Sequence, residues 1–203
     1  MQVQTLVVGL IATNCYLVAC SETGEGIVID PGAGGKRILQ QIRQRGLKIT
    51  EIVNTHGHID HTGANGRLKK ELQVPLALPE KDLAIYRKPL LGLSFLLGRP
   101  VPPDRLLREG EQIAFGKQVL TVVETPGHTR GSISLSGSGV VFTGDALFAG
   151  SVGRTDLAGG SHSLLIRAIR EKLLVLPPET VVYPGHGPAT TIGAEAMNNP
   201  FLR

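Results

Sequence analysis

Tryptophan is absent from this 203-residue chain, and aromatic residues of all kinds make up only 4% of it. Binding single strands of nucleic acid takes several aromatic side chains interleaved with a basic groove. The net charge of +4 is carried by scattered Lys and Arg, so it points to mild attraction for an anionic small molecule and away from a nucleic-acid partner. No apolar run approaches the roughly 20 residues that cross a bilayer. The N-terminus also lacks a basic segment followed by an apolar stretch and a small-residue cleavage site. A cytoplasmic protein with no membrane partner is expected. The two cysteines, Cys15 and Cys20, stand at either end of one short strand and would need a sharp backbone reversal to bond. Free, buried thiols are expected.

What the chain does contain is apolar residues (41%), 26 glycines and 13 prolines, the composition of a loop-rich globular protein long enough to bury a substantial core. Turn signals divide it into short segments. Residues 2–9, 14–20 and 26–30 read as a meander of strands, 36–45 as an amphipathic helix and "ITEIVNT" as a strand. A helix is expected from about Thr62 to Glu71, then a strand "VPLAL" and a helix from about Glu80 to Arg87. Strands follow at 112–115, 118–124, 131–135 and 139–143, then a helix at 161–175, a strand at 180–183 and a helix at 191–198. The apolar residues 90–98 fit a buried connection, a flap or a dimer contact. Strands and helices recur in both halves with antiparallel hairpins in each, which suits two packed mixed sheets covered by helices, an α/β (α+β) class. Residues 1–203 are read as one domain, and the oligomeric state stays open.

The histidines are placed unusually. Of six, five lie beside glycine or within "HGHIDH", at strand ends: His56, His58, His61, His128 in "TPGHT" and His186 in "YPGHG". Alternate residues of an extended segment point the same way, so His56 and His58 can grip one ion together. Asp60 and His61, past the bend, can reach a second. Asp145 in "FTGDALF" ends an apolar strand, and its two oxygens can bridge. Counting donors gives His56, His58 and His128 for one ion, Asp60, His61 and His186 for another, and Asp145 between them. Two divalent ions about 3.5–4 Å apart polarise a carbonyl and acidify a bound water. Zn is the first expectation, with Fe or Mn also compatible with His and Asp. Thr55 and Thr129 read either as supports behind the ligands or as caps, and His162 as a surface or capping residue.

The run "THGHIDH", "TPGHT", "TGD", "YPGHG", in that order, resembles the metallo-β-lactamase superfamily. The resemblance implies a four-layer αββα sandwich with the metals at one edge, and it gives Asp30 in "VIDPG" a supporting role beside the metal loop. "GDALFAGSVGRTDLAGG" and "AEAMNNPFL" resemble the short bacterial glyoxalase II group, the hydroxyacylglutathione hydrolases, without the C-terminal helical domain of the longer enzymes. The activity implied is cleavage of a small thioester, such as S-D-lactoylglutathione, to a hydroxy acid and a thiol by a metal-bridging hydroxide. Asp60 and Asp145 would orient and bridge around it. Arg154 stands where the longer enzymes have Lys. It is a candidate either for a substrate carboxylate or for an ion pair with Asp156. The rival within the superfamily is an Fe(II) persulfide dioxygenase using His56, His128 and Asp145. Lactone or ester hydrolysis shares the ligand pattern.

Overall fold

The computed structural model describes residues 1–88 and 100–203; the 90–98 stretch therefore lies outside the described residues. Two six-stranded sheets make up the framework. The first joins β1 (Gln2–Val8), β2 (Thr13–Ala19), β3 (Glu25–Ile29), β4 (Lys48–Val53), β5 (Leu76–Pro79) and β6 (Arg105–Leu107) in chain order. It begins as an antiparallel meander and turns parallel from β3 onward. The second contains β7 (Gln112–Phe115), β8 (Gln118–Glu124), β9 (Ile133–Gly137), β10 (Val140–Gly144), β13 (Val181–Pro184) and β14 (Thr190–Thr191), with β10 and β13 parallel. A small hairpin, β11 (Leu147–Phe148) with β12 (Ser151–Val152), follows β10.

Alternation along the strands sorts the apolar side chains into layers. Tyr16, Val18, Ile27 and Ile29 face Ile113, Leu120, Val122, Leu135 and Phe142 between the sheets. Their sequence neighbours Cys15, Leu17 and Val28 point the other way, onto Ile38 and Ile42 of α1 (Gly35–Gln44) and Leu68 of α3 (Asn65–Leu72). A third cluster packs Val141 and Val182 against Leu165 of α5 (His162–Ala168) and Ile192 of α6 (Ile192–Asn198). β2 is buried over its whole length because both of its faces are covered. The result is the expected αββα sandwich, and both cysteines are free and buried.

Departures from the expected elements have local causes. The helix expected from Thr62 is two pieces, α2 (Ile59–Thr62) and α3. The chain breaks there because Ala64 N donates to Pro31 O at 2.8 Å instead of continuing the helical ladder. The Glu80–Arg87 helix opens with a tighter turn, Glu80–Asp82, before α4 (Leu83–Arg87). The 161–175 helix widens into a π turn at Ile169–Leu173. β6, β11, β12 and β14 have two or three residues each, too few for a periodicity to show. Among the described residues, no helix is long and apolar enough to cross a membrane.

Phe142 is fully buried, with its ring 5.2 Å from Tyr16 and 5.1 Å from Tyr183. Phe142→Ala should cost about 3–5 kcal/mol in urea unfolding; a loss under about 1 kcal/mol would show that the two sheets do not depend on this contact.

Candidate metal centre

β3, β4, β8, β10 and β13 all end at one edge of the sandwich, and the residue or short loop after each carries a candidate group. β3 is followed by Asp30, β4 by Thr55 and His56, β8 by His128, β10 by Asp145 and β13 by His186. α2, begun immediately after His58, supplies Asp60 and His61.

The side chains converge as two groups, His56 with His58 and His128, and Asp60 with His61 and His186. In each, one ligand atom per residue lies within 4.8 Å of the others. A third combination, Asp30 with His56 and His61, meets the same test, but Asp30 already faces His61 Nδ1 at 2.9 Å and stands behind the imidazole. Asp145 lies between the groups: its Oδ1 is 3.4 Å from His61 Nε2, and its Oδ2 is 3.5 Å from His128 Nε2 and 3.7 Å from His186 Nε2. Asp60 Oδ2 is 3.3 Å from His61 Nε2 and 3.4 Å from His186 Nε2. His162 is the first residue of α5, outside both groups.

Oxygen atoms behind the rings decide which nitrogen faces inward. His128 Nδ1 is 2.7 Å from the Arg154 carbonyl, and His186 Nδ1 is 3.1 Å from the Ile11 carbonyl. These oxygens only accept, so Nδ1 donates and the Nε2 lone pair turns to the centre. Thr55 Oγ1 donates to Asp30 at 2.6 Å and can accept from His56 Nδ1 at 3.1 Å, which sets His56 the same way. His58 differs, presenting Nδ1, 2.9 Å from His128 Nε2. Asp30 thus hydrogen-bonds the loop that carries His56, and of the two roles open to Thr55 its contacts match support behind that imidazole.

Three buried atoms have no hydrogen-bond partner among the described residues at this centre: His56 Nε2, His61 Nε2 and Asp145 Oδ1. An unpaired buried polar atom costs about 1–3 kcal/mol, and three at one centre suit the donors of a cation site. Electrostatics agrees. Burial drives His56 and His58 down, aided by neighbouring imidazoles, so both are neutral and able to ligate. Burial opposes charge on Asp145 and Asp60, yet the facing histidines hold both carboxyls far below the usual range. Burial also opposes protonation of His61, but Asp145 and Asp30 override it and raise this imidazole. Asp60, accepting a hydrogen bond from the protonated imidazole, raises His186 against burial. The centre therefore attracts positive charge, as protons or as metal.

Close backbone approach makes this packing possible. A Cβ on Gly185 would sit 2.1 Å from Asp145 Oδ1, and one on Gly127 would sit 2.4 Å from the Leu165 backbone, so the glycines beside His186 and His128 are sterically required. The first hairpin braces the His186 loop: Asn14 Nδ2 donates to Pro184 O at 3.0 Å and Gly187 O at 2.8 Å, and Tyr16 OH to Pro184 O at 2.5 Å. At the other end of the chain, Glu195 accepts from Gly150 N at 2.9 Å, and Asn199 Nδ2 donates to Ser151 O at 3.0 Å. The "AEAMNNPFL" segment thereby latches the β11–β12 hairpin, whose Phe148 lies against His186 with centroids 6.2 Å apart. Arg154 forms a two-pronged exposed ion pair with Asp156, 2.8 and 2.6 Å.

One supporting residue had escaped the sequence reading. Asp82 is fully buried and accepts from Gly57 N, Thr129 Oγ1 and Gly131 N at 2.7–2.9 Å. It sits in "PEKDLAI", where an acid beginning a helix is commonplace.

Residues 8–186 match the family model of the metallo-beta-lactamase superfamily. Hydroxyacylglutathione hydrolase GloC of Haemophilus influenzae is 37% identical, over 100% of this chain and 98% of that protein. The BLEG-1 B3 metallo-beta-lactamase superimposes with a TM-score of 0.90 at 38% identity, covering 99% of both chains. TTHA1623 in a di-iron-bound form gives 0.88 at 39%, covering 98% of this chain and 100% of the other. ETHE1 from Myxococcus xanthus gives 0.81 at 33%, covering 98% and 84%.

Gly185→Ala should push Asp145 aside. After equilibration with limiting Zn²⁺ and gel filtration, metal analysis should find fewer ions per chain than in the wild type; equal content would mean that the loop yields without disturbing the centre.

Proposed function

Because the chain belongs to the metallo-β-lactamase superfamily, a family of metal-dependent hydrolases, we propose that it hydrolyses a small thioester of the hydroxyacylglutathione type. The observation that carries this reading is the convergence of the two donor groups on Asp145, with His56 Nε2, His61 Nε2 and Asp145 Oδ1 left unpaired in the same volume. His56, His58 and His128 would hold one divalent ion, Asp60, His61 and His186 the other, with Asp145 shared. Zn is the first choice, and Fe or Mn suit the same donors. Such a pair of ions would supply a water acidic at neutral pH and a Lewis acid for the carbonyl oxygen.

The chain's own residues do the rest. Asp60 Oδ2, between His61 and His186 and 3.4 Å from Thr13 Oγ1, is placed to orient the attacking water. Asp145 keeps the two halves in register. The Arg154–Asp156 pair is exposed to solvent screening and holds weakly, so a substrate carboxylate could take Arg154 from Asp156 at small cost. Thioester chemistry is supported by the similarity to GloC. The iron dioxygenase reading would use His56, His128 and Asp145 alone. The equally complete Asp60, His61 and His186 group favours a binuclear centre over a mononuclear one, and the di-iron form of TTHA1623 supports the same count.

Steady-state hydrolysis of S-D-lactoylglutathione tests the proposal. The wild type should turn it over, and Asp145→Ala should lose about 100-fold or more in kcat/KM, the scale of removing a group that organises the transition state. Full activity in the variant would refute the role given to Asp145. Absence of turnover by metal-replete wild type, with O₂ uptake on glutathione persulfide instead, would replace the hydrolase by the dioxygenase. Arg154→Ala should raise KM and leave kcat nearly unchanged, whereas an unaltered KM would confine Arg154 to its pair with Asp156.

A further inference from the structure

We infer that Asp82 is a positioning residue for one half of the metal centre, the His56, His58 and His128 half, acting through the backbone of Gly57 and the side chain of Thr129. This rests on the metal assignment proposed above.

Asp82 comes from the turn before α4, far in sequence from every candidate ligand, yet its carboxylate is the junction of the two ligand loops. Oδ2 accepts from N of Gly57, the one residue between His56 and His58, at 2.9 Å, and from Oγ1 of Thr129, directly after His128, at 2.7 Å. Oδ1 accepts from Gly131 N at 2.7 Å. Both oxygens are therefore committed to donors, and the residue is 0% exposed. The fit around it is close on all sides. A Cβ at Gly57 would fall 2.9 Å from Asp82 O, and one at Gly131 would fall 2.6 Å from Asp82 N and Oδ1. Ser132 Oγ, 2.7 Å from Thr129 Oγ1 and 3.1 Å from Thr129 N, completes the loop's bracing.

His58 Nδ1 and His128 Nε2 approach to 2.9 Å from loops on different sheets, so their spacing depends on whatever ties those loops together. Asp82 is such a tie. Asp30 stands behind His61 Nδ1 and, through Thr55, behind His56 as well, whereas every Asp82 side-chain contact falls on the loops that carry His58 and His128, so losing Asp82 should leave His61 and His186 undisturbed.

Asp82→Asn preserves shape but sets an amide NH₂ where an acceptor is needed. Support of this kind is worth about 10–100-fold in metal affinity. Metal-free full-length protein would be titrated with Zn²⁺ against a chromophoric chelator, with the imidazole signals followed by ¹H–¹⁵N NMR. Wild type should take up two ions. In Asp82→Asn, one ion should bind about 10–100-fold more weakly, with the His58 and His128 signals lagging while those of His61 and His186 respond as in wild type. Thr129→Val, which removes a single donor, should weaken the same ion by a smaller factor, and it serves if Asp82→Asn does not fold. Two unchanged binding steps, or both steps weakened alike together with a lower Tm of the metal-free protein, would overturn the inference and leave the metal centre intact. Wild type that takes up no Zn²⁺ would overturn the metal assignment itself, and this inference with it.

Discussion

Everything at this edge of the sandwich answers to one constraint: five imidazoles and two carboxylates are packed into one volume, and the deepest of them are shut off from water. His56 and His61 are fully buried and Asp145 is 9% exposed. Polar groups in that position are costly unless paired, and His56 Nε2, His61 Nε2 and Asp145 Oδ1 have no hydrogen-bond partner among the described residues. A divalent cation held among them would resolve the conflict.

Holding such a cluster requires rigidity from every direction. Parallel strands of both sheets deliver ligands to the same edge, and buried carboxylates stand behind them, Asp30 under the β4 loop and Asp82 between the β4 and β8 loops. The chain's two ends join in. The β1–β2 turn supplies the Ile11 carbonyl to His186, and α6 latches the hairpin that carries Phe148. Fold and site are therefore one mechanical object: the inter-sheet core fixes the strand ends, and the strand ends fix the ligands.

The candidate ligands can be named from the sequence because their spacing is local. "HGHIDH" places its donors by backbone alternation, and the glycines flanking His128 and His186 mark close approaches that the structure bears out at Gly127 and Gly185. The layering was legible because strands buried on both faces must be covered on both. What could not be read depends on contacts distant in sequence. The break between α2 and α3 is set by a carbonyl at Pro31, and Asp82 acquires its role only when the β4 and β8 loops meet over it. Strands of two residues carry no pattern of their own. Arg154 offered two roles on sequence grounds, and its pairing with Asp156 gives one of them direct geometric support.

The most direct test of the account is anomalous diffraction from crystals grown with Zn²⁺, recorded on both sides of the zinc edge. Two peaks are predicted, one among His56, His58 and His128 and one among Asp60, His61 and His186, with the Asp145 carboxylate between them. A single peak on His56, His128 and Asp145, or none, would contradict it.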